Sequence, residues 1–99
     1  MKREEVLRKA TDAVTSRNDR EDTFWTIARL WTAYLEVPID EADVCRMMAL
    51  LKIARSKMGI AKEDSLVDCA GYMACCAEYV EEIELDEKGI APAPPAPAE

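Results

Sequence analysis

Apolar residues recur at intervals of three and four positions along most of this chain, and this spacing most constrains its fold. One such set begins at Phe24 and lies on a single face of a helix with about 3.6 residues per turn. Its members are Phe24, Ile27, Ala28, Trp31, Tyr34 and Leu35. We expect this helix to supply most of the aromatic burial. The pattern predicts an all-α fold.

Four helices can be placed from the same spacing. The first covers residues 3–16 and the second follows a cap at Asp22 or Thr23. The third is capped by Asp40 and runs to about Lys57, after which Gly59 can adopt the left-handed conformation that ends a helix. The fourth covers about residues 62–84. We predict a four-helix bundle with a central antiparallel hairpin formed by helices three and four.

The chain of 99 residues is long enough for one domain, which we place at residues 1–85. Residues 86–99 alternate alanine and proline after a charged start, which predicts a disordered tail or spacer. A hydrophobic content of 49% supports only a modest core. A single copy should be marginally stable, so we expect a homodimer or higher oligomer.

Charge and composition exclude several classes of function. The net charge of −7 opposes binding to a phosphate backbone, so nucleic acid is a poor partner. No apolar run approaches 18 residues and no signal peptide is recognisable, which predicts a cytoplasmic protein without membrane contact. Histidine is absent and the four cysteines lack metal-finger spacing, so we expect neither a zinc site nor any other resident cofactor.

Four charged side chains on the predicted hairpin form the main candidate site. Lys52 and Arg55 lie along an apolar face of the third helix, and Asp64 and Asp68 lie on the fourth. If the turn centres near Gly59, antiparallel pairing places Arg55 beside Asp64 and Lys52 beside Asp68. The charges then match in sign across the hairpin.

Three interpretations of this quartet remain open. It can be a set of structural ion pairs that fixes the register of the hairpin. It can instead bind a phosphate or nucleotide through Lys52 and Arg55, with the two acids orienting them. In the third, Asp64, Asp68 and Glu41 would hold Mg²⁺.

Trp25 is the main candidate for a binding surface other than the charged quartet. It lies off the main apolar stripe of the second helix, so we expect it near an interface rather than in the core.

The chain resembles a small family of uncharacterised bacteriophage and prophage proteins. The resemblance covers residues 3–82 and rests on three segments, which are residues 24–35, residues 43–55 and residues 64–72. It implies a phage setting and no particular activity.

The segment from Lys62 to Asp68 is also similar to the second acidic helix of the MazG-like all-α nucleotide pyrophosphohydrolases. Those enzymes hold Mg²⁺ on a triphosphate between two acidic helices, because a hard cation needs several oxygen ligands. Here the facing helix offers Lys52 and Arg55 where that family has carboxylates.

The sequence thus predicts a phage-encoded helical binding protein. We expect its partner to be a nucleotide or other phosphate-bearing ligand at the quartet. The alternative partner is a host protein, which it would bind as an inhibitor or adaptor. A Mg²⁺-dependent pyrophosphohydrolase is the enzymatic alternative.

Overall fold

The computed structural model describes residues 1–16 and 20–87, which form four helices and no strand. The helices are α1 (Arg3–Ser16), α2 (Arg20–Leu35), α3 (Glu41–Lys57) and α4 (Lys62–Glu87). This confirms the prediction of an all-α bundle. The predicted turn after Ser16 and the predicted tail lie mostly outside the described residues.

Both ends of α3 follow from local sequence. At its start, the Asp40 carboxylate accepts a hydrogen bond from the Asp43 amide at 2.8 Å, and the Asp43 carboxylate accepts one from the Asp40 amide at 3.2 Å. At its end, Gly59 has φ +75° and the Ile60 amide donates to the Arg55 carbonyl at 3.0 Å. This is the arrangement of a Schellman motif, in which glycine ends the helix.

The predicted cap of α2 is wrong. The helix begins at Arg20, so Asp22 and Thr23 lie inside it rather than ahead of it. The stretch before it contains neither glycine nor proline, and polar residues alone do not define a boundary.

The α3–α4 hairpin forms the centre of the fold. Within the described residues, α1 packs on α4, and α2 packs on α3. Gly71 of α4 is buried against α1, where a methyl group in place of its hydrogen would lie 3.6 Å from the Val14 side chain. The glycine therefore sits at a close helix–helix contact that still has room for an alanine.

The core lies between α2 and the hairpin. The ring of Phe24 contacts Tyr72 and Tyr79 edge-on, with centroids 6.0 and 5.8 Å apart. Small side chains fill the hairpin itself, and the Cys76 thiol donates to the Ala42 carbonyl at 3.7 Å. All four cysteines are free thiols.

Much apolar surface remains uncovered, which the helical spacing did not predict. Tyr34 belongs to the α2 stripe yet is 86% exposed. On α3, its C-cap and α4 the exposed large apolar side chains are Met47, Leu50, Leu51, Ile53, Met58, Leu66, Met73 and Leu85. The third helix packs on two neighbours, but one of its apolar sides has no cover within the described part of the chain. No helix in residues 1–16 and 20–87 has the length and hydropathy to cross a bilayer.

Candidate functional site

Lys52 and Asp68 form the ion pair that the sequence predicts. The Lys52 ammonium lies 3.0 Å from the Asp68 carboxylate, and the two side chains are 20% and 29% exposed. The pair joins the middle of α3 to the first half of α4. Because each charge already faces its opposite, this half of the quartet fits the structural interpretation.

Arg55 and Asp64 do not form the second predicted pair. No ion pair joins them, and Asp64 is exposed at the start of α4. The reason is the register that the first pair sets. Counting three residues back along α4 from Asp68 places buried Ser65, not Asp64, level with Arg55. Asp64 then projects about 100° away from Ser65 on the helix.

Arg55 is consequently left without the carboxylate that the sequence offered it. Its side chain is partly buried, and its Nε is buried with no hydrogen-bond partner. Arg55 lies in the last turn of α3, where the carbonyl end of the helix favours a positive charge.

Glu41 does not join Asp64 and Asp68. It begins α3, eleven residues before Lys52, which corresponds to about 16 Å along the helix. Among residues 1–16 and 20–87, no group of three or more acidic or cysteine side chains lies close enough together to hold a metal ion. The three carboxylates suggested for Mg²⁺ therefore do not form one cluster, because Glu41 lies apart from the two on α4.

Trp25 lies on a groove of about 610 Å³ between α2 and the start of α3. The groove is lined by Trp25, Ala28, Arg29, Thr32, Ala33, Pro38, Ile39, Asp40 and Glu41. The indole is partly exposed, and the Arg29 guanidinium lies 4.9 Å from its ring centroid. Trp25 is thus placed at the surface and off the core, as its position on the α2 wheel predicts.

Hydrogen bonds fix the wall of this groove. The Thr32 hydroxyl donates to the Ile39 carbonyl at 3.1 Å and accepts from the Ile39 amide at 3.0 Å. This pair holds the segment before α3 against α2. The Asp40 carboxylate is occupied by the cap of α3, whereas Glu41 makes no ion pair with any described residue. The groove therefore combines a fixed wall of mixed polar and apolar side chains with an available carboxylate.

Sequence reasoning identified Trp25 and Glu41 but not the groove that they share. Thr32 and Arg29 were missed, because each is an ordinary polar residue on a helix. The available signal was Pro38, two residues before the cap Asp40, since a proline keeps the residue before it in an extended conformation.

Comparison with known proteins gives a family and phage relatives. A family model described as "Domain of unknown function (DUF6378)" matches residues 5–80. The "Gene 55 protein" of Mycobacterium phage D29 is 43% identical over 61 residues, which are 62% of this chain and 40% of that protein. The "Gene 55 protein" of Mycobacterium phage L5 is 40% identical over 70 residues, covering 70% and 42% of the two chains.

The chain thus spans about two fifths of the length of these two relatives. No solved structure matches it. The matches confirm the resemblance to uncharacterised phage proteins, and their descriptions show no link to the MazG-like enzymes.

Proposed function

The chain belongs to the family described as "Domain of unknown function (DUF6378)", and from this premise we propose that it is a phage-encoded binding protein. Its place of action would be the cytoplasm of the host. Its two phage relatives support the setting. We further propose that it docks another protein, as an inhibitor or adaptor of a host factor.

The groove beside Trp25 carries this proposal. A partly exposed indole in a fixed groove of mixed polar and apolar side chains is typical of a protein-binding hot spot. Glu41 at the rim favours a partner segment with a basic side chain next to an apolar one. The quartet offers less to a partner, because Lys52 is mostly buried and already paired with Asp68.

Photo-crosslinking in phage-infected host cells tests the groove directly. Ala33 is exposed and lines the groove, so we would replace it with p-benzoylphenylalanine. Thr11, exposed on α1, takes the same crosslinker as the matched control. We expect one defined protein adduct from position 33 and none from position 11.

Groove variants decide whether that adduct depends on the proposed surface. Trp25→Ala and Glu41→Lys should each abolish the adduct from position 33, while circular dichroism shows an unchanged helix content. An adduct that persists in both variants, or that forms equally from position 11, would overturn the proposal. So would the absence of any adduct.

A phosphate-bearing ligand at Arg55 is the second candidate. The half-buried Arg55 side chain, which forms no ion pair with a described residue, supports it, and Lys52 lies one helical turn away. Thermal unfolding with pyrophosphate, ATP, GTP and cyclic nucleotides, each with and without Mg²⁺, tests it. A ligand at about 100 times its dissociation constant should add about 2.7 kcal/mol to the free energy of unfolding. The shift must vanish in Arg55→Met.

The same assay addresses the enzymatic alternative. A shift that requires both Mg²⁺ and a triphosphate would favour a MazG-like pyrophosphohydrolase, to be followed by an assay of pyrophosphate release. This alternative has the least support, because Glu41 does not form a cluster with Asp64 and Asp68.

A further inference from the structure

One face of α4 is apolar, uncharged in its middle and exposed over most of its length. Its members are Leu66, Ala70, Met73, Ala77 and Val80, which lie within about 80° of one another on the helical wheel. Leu66, Met73 and Ala77 are exposed, whereas Ala70 and Val80 are half-buried and Val80 also packs against the core. We call this surface the outer face of α4. α1 and α3 pack on other sides of the helix, which bury Gly71, Cys76 and Tyr79.

Charges at the two ends of the outer face have opposite signs. Lys62 lies on the same side eleven residues before Met73, and Glu84 lies on it eleven residues after. Both side chains are exposed, and neither forms an ion pair with a described residue. The face is therefore symmetric in spacing about Met73 and complementary in charge.

We propose that a second copy of this chain docks on the outer face of α4, with the two α4 helices antiparallel and a two-fold axis beside Met73. Leu66 of each copy then lies level with Val80 of the other. Lys62 of each copy lies level with Glu84 of the other, so one symmetric contact forms two ion pairs. Alanines at 70 and 77 allow the helices to approach closely.

The charges on α4 favour an antiparallel pair of α4 helices over a parallel pair. α4 carries nine acidic residues and one basic residue, Lys62. In a parallel pair, Glu84 would face Glu84 and Lys62 would face Lys62. The antiparallel pair replaces both repulsions with attractions, and its centre buries no charge despite the net charge of −7 on each copy.

Analytical ultracentrifugation of the full chain over a wide range of concentrations tests the contact. We expect a reversible monomer–dimer equilibrium that Met73→Glu abolishes. Leu7→Glu, on exposed α1, adds the same charge outside the face and should leave the equilibrium unchanged. A wild-type chain that stays monomeric, or a dimer that tolerates Met73→Glu, would overturn the proposal.

Charge reversal tests the orientation. Lys62→Glu and Glu84→Lys should each weaken the dimer about tenfold, since each replaces two attractions with two repulsions. The double variant should restore it. Each single change places a charge that the helix dipole favours at that end of α4, so loss of dimer cannot be ascribed to unfolding. Failure of the double variant to restore the dimer would refute the antiparallel arrangement.

The groove beside Trp25 is lined by residues of α2, the linker and the start of α3, and shares no residue with the outer face of α4. A failed crosslink from Ala33 and a monomeric chain would therefore be independent results.

Discussion

Lys52 of α3 and Asp68 of α4 lie 3.0 Å apart and join the two arms of the central hairpin. Replacing Asp68 with alanine leaves a mostly buried ammonium without its counter-charge. We expect this to lower the free energy of unfolding by about 1 to 2 kcal/mol, less than for a fully buried pair because water reaches both groups. Urea unfolding followed by circular dichroism measures the change.

The single variant Lys52→Met and the double variant Lys52→Met with Asp68→Ala complete a thermodynamic cycle with Asp68→Ala. Because no charge is left unpaired in the double variant, we expect it to be at least as stable as Asp68→Ala. If the single and double losses simply add, the two side chains do not interact energetically, and the pair is not a structural tie.

Gly71→Ala should stabilise the protein by about 0.5 to 1 kcal/mol. The position is inside α4, where glycine costs free energy relative to alanine, and the added methyl group would meet Val14 at an ordinary contact distance of 3.6 Å. Gly59→Ala is the matched control. Its φ of +75° is unfavourable for alanine, so we expect a loss of about 1 to 2 kcal/mol although the space there is open. Thermal unfolding of both variants compares the effects, and destabilisation by Gly71→Ala would mean that α1 cannot accommodate the methyl group.

Glu36 ends α2 in a left-handed conformation with φ 57°. A glycine there relieves the clash that a side chain imposes, while an alanine removes only the charge. We therefore expect Glu36→Gly to be more stable than Glu36→Ala by about 1 kcal/mol. Equal melting temperatures for the two variants would contradict this account of the α2 terminus.

Thr32→Val removes both hydrogen bonds to Ile39 without changing the shape of the side chain. The Ile39 amide and carbonyl then lose their partner in a partly buried place, which should cost about 1 to 2 kcal/mol. Thr32→Ser keeps the hydroxyl and should cost less. The two hydrogen bonds between Thr32 and Ile39 fix the wall of the groove, so this clamp is lost in the valine variant. We therefore expect Thr32→Val also to weaken the crosslink from Ala33. A crosslink of unchanged yield would show that the clamp does not shape the groove.

The helices were predictable because their ends depend on local chemistry. The cap at Asp40 and the left-handed turn at Gly59 bound α3, and the spacing of the hairpin then placed Lys52 opposite Asp68. The start of α2 was not predictable, because no glycine, proline or isolated capping residue defines it.

The exposure of the apolar faces could not be predicted at all. Periodicity tells which side chains share a face, but not whether another helix covers that face. Tyr34 shares a face with Phe24 on the wheel, yet only the Phe24 end of α2 reaches the aromatic rings of α4. The groove beside Trp25 likewise depends on how the linker folds back through Thr32.

The four thiols differ in burial, so the rates at which they are alkylated report on opening of the α3–α4 hairpin. Cys45 and Cys76 are buried between α3 and α4, whereas Cys69 and Cys75 are partly exposed. A thiol reagent can reach the first two only when the hairpin opens, so their slow alkylation would time the separation of its arms. The faster alkylation of the other two would report on the surface of α4 in the same sample.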